Sequence, residues 1–191
     1  MNKGSGKPAK PADTKEKQKK SIKQEIFEWV MVFVVAAALA FVVRTFIFEP
    51  VRVDGSSMLN TLTDSDFMIA TKFDYLGSNP ERFDIVICYY PDTDDGMYRV
   101  KRVIGLPGEE VLLRGGKLYV NGEEIEQNFD MHSATRDYGP LVVPQDHYFV
   151  LGDNRGNSKD SRHVGTLPRN MIRGHVRAVV FPFDNMRLIE D

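Results

Sequence analysis

Two adjacent serines, Ser56 and Ser57, stand in RVDGSSMLNTL (residues 52–62), just after Gly55 and just before Met58. A serine hydroxyl becomes a nucleophile when a neighbouring base takes its proton. The usual base is missing here: His132, His147, His163 and His175 are scattered through polar sequence far along the chain. Gly55-Ser56-Ser57-Met58-Leu59 also lacks the second glycine of a Gly-x-Ser-x-Gly elbow. No His-Glu-x-x-His pair occurs, and no metal site is expected. A different base is present in YRVKRVIGL (98–106), namely Lys101. In a strand of period two, Arg99, Lys101 and Val103 share one face, and Val100, Arg102 and Ile104 share the other. One of the three basic residues is expected to point inward. A lysine serves as a base only when neutral, and burial disfavours its ammonium form. Lowering its pKa from ~10.4 to ~8 takes about 3 kcal/mol of differential destabilisation. Arginine could not substitute, because it keeps its charge. The competing reading is a Lys-Arg pair on a solvated strand edge.

A third stretch, GDNRGNSKDSRHVG (152–165), is dense in turn formers and alternates acids with bases. Asp153, Arg155, Asp160 and Arg162 could pair to fix this loop, and Ser158 could orient a nearby amine. The plainer alternative is a polar surface loop held by Asx turns.

The elements that must position these residues are legible as short strands. FEPVRVDG alternates, with Val51 and Val53 on one face. DFMIATKFDYL, FDIVICYYP, HYFVLGDN and HVRAVVFPF are apolar runs bounded by turn residues. Gly115-Gly116 and Asn121-Gly122 are two-residue hairpin signals. The expected fold is mainly β, an antiparallel β-domain with a hairpin-rich excursion over residues ~115 to 145. The single cysteine, Cys88, excludes an internal disulfide and reads as a small buried hydrophobe.

Upstream, Ile26–Phe48 is a 23-residue run with only Glu28 and Arg44 charged, both near its ends. It is long enough to cross the ~30 Å hydrocarbon core as one helix. It is also longer than the apolar region of a removable leader. The first 24 residues hold eight lysines and two acids, while the rest of the chain has 17 basic and 25 acidic residues. The positive-inside rule then puts the N-terminus in the cytoplasm and the remainder outside. Three segments are expected: a disordered basic leader over 1–25, one N-terminal transmembrane helix over 26–48, and a β-domain over 49–191.

Together the stretches resemble the bacterial type I signal peptidases (leader peptidases), in the compact single-anchor form typical of Gram-positive bacteria. VDGSSMLNTL resembles the family's nucleophile box, VKRVIGLPGE its lysine box, and GDNRGNSKDSRHVG its C-terminal box. The resemblance implies a membrane-bound serine endopeptidase that removes N-terminal signal peptides from secreted preproteins. It implies Ser57 as nucleophile, Lys101 as general base and Ser158 as the hydroxyl positioning the amine. Asp153, Arg155, Asp160 and Arg162 fall where the family keeps structural ion pairs. Val51, Val53, Asp54, Met58 and Val100 are the expected substrate contacts, fitting small residues at positions −1 and −3 of the signal peptide. The implied partners are secretory preproteins and the lipid bilayer. Neither a nucleic acid nor a cofactor is expected, and the oligomeric state is open. The domain is then expected at the outer face of the cytoplasmic membrane. Two positions depart from the family pattern. Asn60 replaces the proline of Ser-Met-x-Pro-Thr-Leu, so a second reading is a weak or inactive paralogue that binds signal peptides. Gly55 stands where some members place a hydroxyl that helps to bind the oxyanion, leaving the Ser57 N–H as the principal donor.

Overall fold

The computed structural model describes residues 21–44, 48–90, 98–132 and 136–189. The chain divides into two compact units, Met1–Ala40 and Phe41–Asp191. The leader expected over residues 1–25 lies outside the described residues as far as residue 20. Helix α1 (Ile22–Val42) begins four residues before the expected start. The reason is a cap: the Ser21 N–H donates to Gln24 Oε1, and the Glu25 N–H donates to the Ser21 carbonyl. The helix does not continue to Phe48, which opens strand β1 (Phe48–Arg52). Hydropathy alone does not separate the end of an apolar helix from the start of an apolar strand. Every residue of α1 is exposed, and its 21 residues are long and apolar enough to cross a membrane.

The second unit is built from two antiparallel sheets. In the main sheet β1 pairs with β2 (Phe67–Thr71), and β3 (Ile85–Tyr89) pairs with β4 (Tyr98–Gly105). Strand β11 (Ile172–Phe181) joins these two pairs by lying between β2 and β3. Strand β9 (His147–Leu151) and β10 (Leu167–Pro168) continue the sheet beyond β4, and β12 (Arg187–Leu188) adds to β11. The smaller sheet has the order β7-β6-β5-β8, from β5 (Glu110–Arg114), β6 (Lys117–Val120), β7 (Glu123–Ile125) and β8 (Tyr138–Val142). Both expected hairpins are present. Gly115-Gly116 links Arg114 to Lys117, and Asn121-Gly122 links Val120 to Glu123, with positive φ at all four loop residues. That is the backbone twist two-residue hairpins require.

Three apolar clusters hold the unit together. One packs Val53, Met58 and Leu62 against Ile85, Ile87, Val100 and Val176. A second lies around Val86, Cys88, Val103 and Tyr148. In the third, Val111, Leu113 and Leu118 of the smaller sheet meet Ile104, Phe149 and Leu151 of the main sheet. Gly105 permits this last approach, because a Cβ there would run into the Val111 side chain.

Strand β4 is central, with residues 100–105 all buried. Both of its faces are therefore inside, and Lys101 and Arg102 are each 1% exposed. The alternation predicted one inward basic residue; the strand holds two, on opposite faces. Strand β4 also changes neighbours along its length. Tyr98–Arg102 pair with β3, and Arg102–Gly105 pair with β9. Among the described residues, its first half is thus bonded in the sheet on one side only.

Candidate active site

Ser57 lies in the loop joining β1 to β2. Backbone bonds close the base of this loop, Val53 N–H to the Asp66 carbonyl and Ser65 N–H to the Val53 carbonyl. Gly55, at φ +92°, turns the chain where a side chain would be strained, and its N–H donates to Asp64 Oδ1. Met58 and Leu62, one helical turn apart and linked by the Leu62 N–H to Met58 carbonyl bond, sink into the core. Met58 is 1% exposed and is an anchor of the loop, not the substrate contact that was expected. Its burial leaves Ser57 half-buried on the opposite side.

Lys101 approaches from β4. Its Nζ lies 2.7 Å from Ser57 Oγ and 2.9 Å from the Val100 carbonyl, which accepts a hydrogen bond from it. Burial pulls its pKa from 10.5 down to about 8, assisted by the Arg99 charge and opposed by Asp160 and Asp153. At that value the lysine exchanges its proton near physiological pH, and the 2.7 Å contact lets that proton come from the serine. Cys88, on the adjoining strand, is buried, and its thiol is pushed up to about 12, so it stays protonated.

The C-terminal box, residues 152–165, packs behind this pair; Asp160 and Arg162 pair within it, whereas Asp153 finds a partner outside it. Asp153 pairs with Arg102, the residue after the lysine, through Arg102 Nη2 at 2.9 Å and Nε at 3.0 Å. Both side chains are fully buried, and Phe129 covers the Arg102 guanidinium with its ring centroid 4.0 Å away. Asp153 Oδ2 also accepts from Thr61 Oγ1 at 2.5 Å, which ties the box to the loop that carries Ser57. Arg155 donates to Gln127 Oε1. Asp160 pairs with Arg162 at 2.8 Å, accepts from the Gly152 N–H and caps the short helix α2 (Ser161–Val164). Burial pushes the Asp160 carboxyl upward, but Arg162 and the Gly152 N–H outweigh it and hold the pKa low. Ser158 is buried beside Gly152, yet no hydrogen bond joins it to Lys101. Besides Ser57 Oγ, the Lys101 Nζ donates to the Val100 carbonyl, which adjoins it on the same strand.

A groove of about 360 Å³ opens beside the pair, lined by Val51, Val53, Ile87 and Val100 and flanked by Ser57 and Lys101. Asp54 also borders it, so four of the five expected contacts lie on the groove and Met58 does not. Ile87 was not anticipated. Only the cross-strand register, which sets it opposite Val100, brings it to the groove. Asn154 and Asn157 were likewise missed. Asn154 Nδ2 donates to the Ser56 carbonyl, its N–H donates to the Ser57 carbonyl, and Asn157 Nδ2 donates to Ser56 Oγ. Asparagines among turn formers carry no sequence signal that separates them from ordinary loop residues. Asn60, where the family pattern has proline, is exposed.

A family model described as "Signal peptidase, peptidase S26" matches residues 26–181. The chain is 40% identical over 185 residues to signal peptidase I P of Bacillus subtilis subsp. natto, covering 91% of this chain and 98% of that protein. It is 41% identical over 186 residues to a signal peptidase I of Bacillus amyloliquefaciens, covering 91% and 95%. Against signal peptidase I S of Bacillus subtilis strain 168 it is 37% identical over 180 residues, covering 87% and 95%.

Proposed function

The chain belongs to the signal peptidase family, peptidase S26, and on that premise we propose that Ser57 and Lys101 form the catalytic dyad of a serine endopeptidase that removes signal peptides. The observation that carries the assignment is the 2.7 Å contact between Ser57 Oγ and the Nζ of a lysine 1% exposed. Neutral Lys101 takes the Ser57 proton as Oγ attacks the scissile carbonyl. The Ser57 N–H is the available backbone donor for the oxyanion, since Gly55 offers no hydroxyl. As the tetrahedral adduct collapses, the Lys101 ammonium gives its proton to the departing amine of the mature protein. The signal peptide is left as an ester on Ser57. Lys101, neutral again, draws a proton from water, which hydrolyses the ester and frees the serine.

Substrate recognition follows from the open edges. An extended peptide between β1 and the first half of β4 would bond to backbone on both sides, in the manner of an added strand. Its alternate side chains would meet Val51, Val53, Ile87 and Val100. A groove of this size, shared by two or more side chains, favours small residues at −1 and −3. The apolar helix α1 supports a membrane anchor, and the lysine-rich leader supports an N-terminus inside with the β-domain outside. Such tethering would confine cleavage to the surface where signal peptides are embedded.

The test is incubation of the detergent-solubilised protein with a preprotein carrying an Ala-x-Ala cleavage site. Cleavage should vanish in Ser57→Ala and in Lys101→Ala while both variants keep their β-sheet circular dichroism. Turnover persisting in Lys101→Ala would refute the dyad.

A further inference from the structure

The two adjacent serines face different partners. Ser57 Oγ meets Lys101, whereas Ser56 Oγ accepts from Asn157 Nδ2 at 2.8 Å. The Ser56 carbonyl accepts from Asn154 Nδ2 at 3.0 Å, and the Ser57 carbonyl accepts from the Asn154 N–H at 3.0 Å. Three acceptor oxygens of one dipeptide are thus held by one segment almost a hundred residues away in sequence. That segment is itself braced. The Asn157 N–H donates to the Asn154 carbonyl, the Arg155 N–H donates to the Asp153 carbonyl, and Asp153 is fixed by Arg102. Within the nucleophile loop, by contrast, Asn60 is exposed, and among the described residues the hydrogen bonds that tie the loop to the C-terminal box come from Thr61, Asn154 and Asn157.

We propose that Ser56 and Asn157 are a positioning pair that aims the nucleophile, supplying from the C-terminal box the rigidity that the family pattern takes from a proline at position 60. This rests on Ser57 being the nucleophile. Neither Ser56 nor Asn157 lines the substrate groove, so the pair acts on the attack geometry and leaves substrate binding alone. Reaction rates fall steeply when reacting atoms lose alignment, and that loss enters kcat while KM stays.

The experiment is a double-mutant cycle with Ser56→Ala, Asn157→Ala and the combined variant, assayed on the Ala-x-Ala preprotein. Each single change removes one hydrogen bond and loosens the aim of Ser57 Oγ, and kcat should fall on the order of fivefold through lost alignment. KM should stay within about twofold. The combined variant should be no worse than either single one, and Ser56→Thr, which keeps the hydroxyl, should retain most of kcat. Melting temperatures should match the parent, since the bond is exposed. Unchanged kcat in Asn157→Ala would overturn the proposal. Multiplying losses in the double variant, or losses that track a lower melting temperature, would overturn it too. Ser57→Ala in the same series separates the two readings. Residual turnover there refutes the dyad itself, whereas a dead Ser57→Ala beside a normal Asn157→Ala refutes only the positioning pair.

Discussion

Raising the pH should switch the enzyme on by neutralising Lys101, and the structure sets where. Its pKa lies at about 8 instead of 10.5. At pH 7 about one molecule in ten then holds a neutral lysine, against roughly one in three thousand for an unperturbed side chain. The logarithm of kcat/KM should climb with unit slope below pH 8 and level off above it. Because burial is the dominant cause and the Arg99 charge adds to it, Arg99→Gln should move the midpoint toward alkaline pH. The same shift makes a statement about stability. The folded pKa is below the unfolded one, so the unfolded chain binds more protons between pH 8 and 10.5, and stability rises with pH across that window. The burial penalty is fully present below pH 8 and amounts to about 3 kcal/mol. Lys101→Met removes the penalty together with two hydrogen bonds worth about 1 kcal/mol each. The inactive variant should therefore be modestly more stable than the parent at neutral pH, and its stability should rise less between pH 8 and 10.5. Initial rates from pH 5.5 to 10, with urea unfolding at pH 7 and 9.5, measure both. A rate that is flat from pH 6 to 9, or that falls above neutrality, would refute a neutral-lysine base.

Gly152→Ala places a Cβ against the Ser57 carbonyl and the Ser158 side chain. Displacing the Ser57 backbone in this way should lower kcat on the order of a hundredfold, measured by preprotein cleavage with circular dichroism as the check on folding. Asp153→Asn leaves the Arg102 guanidinium buried without its counter-charge. It should lower the unfolding free energy by about 3–5 kcal/mol, read from urea titration.

The β-domain was largely legible because its signals are local. Period-two alternation marks the strands, and the φ demands of a two-residue turn mark Gly115-Gly116 and Asn121-Gly122 as hairpins. The proposed chemistry came from the resemblance. The residues alone offered Lys101 only as one available base beside a solvated-edge reading, and it was the order of the three boxes, matching the family, that assigned Ser57 and Lys101. Resemblance also supplied Ser158 as the lysine's partner; in the structure the Lys101 Nζ donates to Ser57 Oγ and to the Val100 carbonyl.

What the sequence by itself determined are the residue types and the local backbone states. These include glycine at φ +92° two residues before Ser57, a lysine and an arginine side by side on one strand, and a capped apolar helix. Tertiary structure alone decided who meets whom. The strand order puts β4 inside the sheet, so Lys101 and Arg102 are both buried, and Asp153 of the distant C-terminal box pairs with Arg102. It sets Ile87 beside the groove, sinks Met58 into the core and brings Asn157 to Ser56. The physical reason is range. Backbone preferences act over a few residues, whereas desolvation and ion pairing depend on neighbours contributed by distant strands, and those neighbours exist only once the sheets have closed.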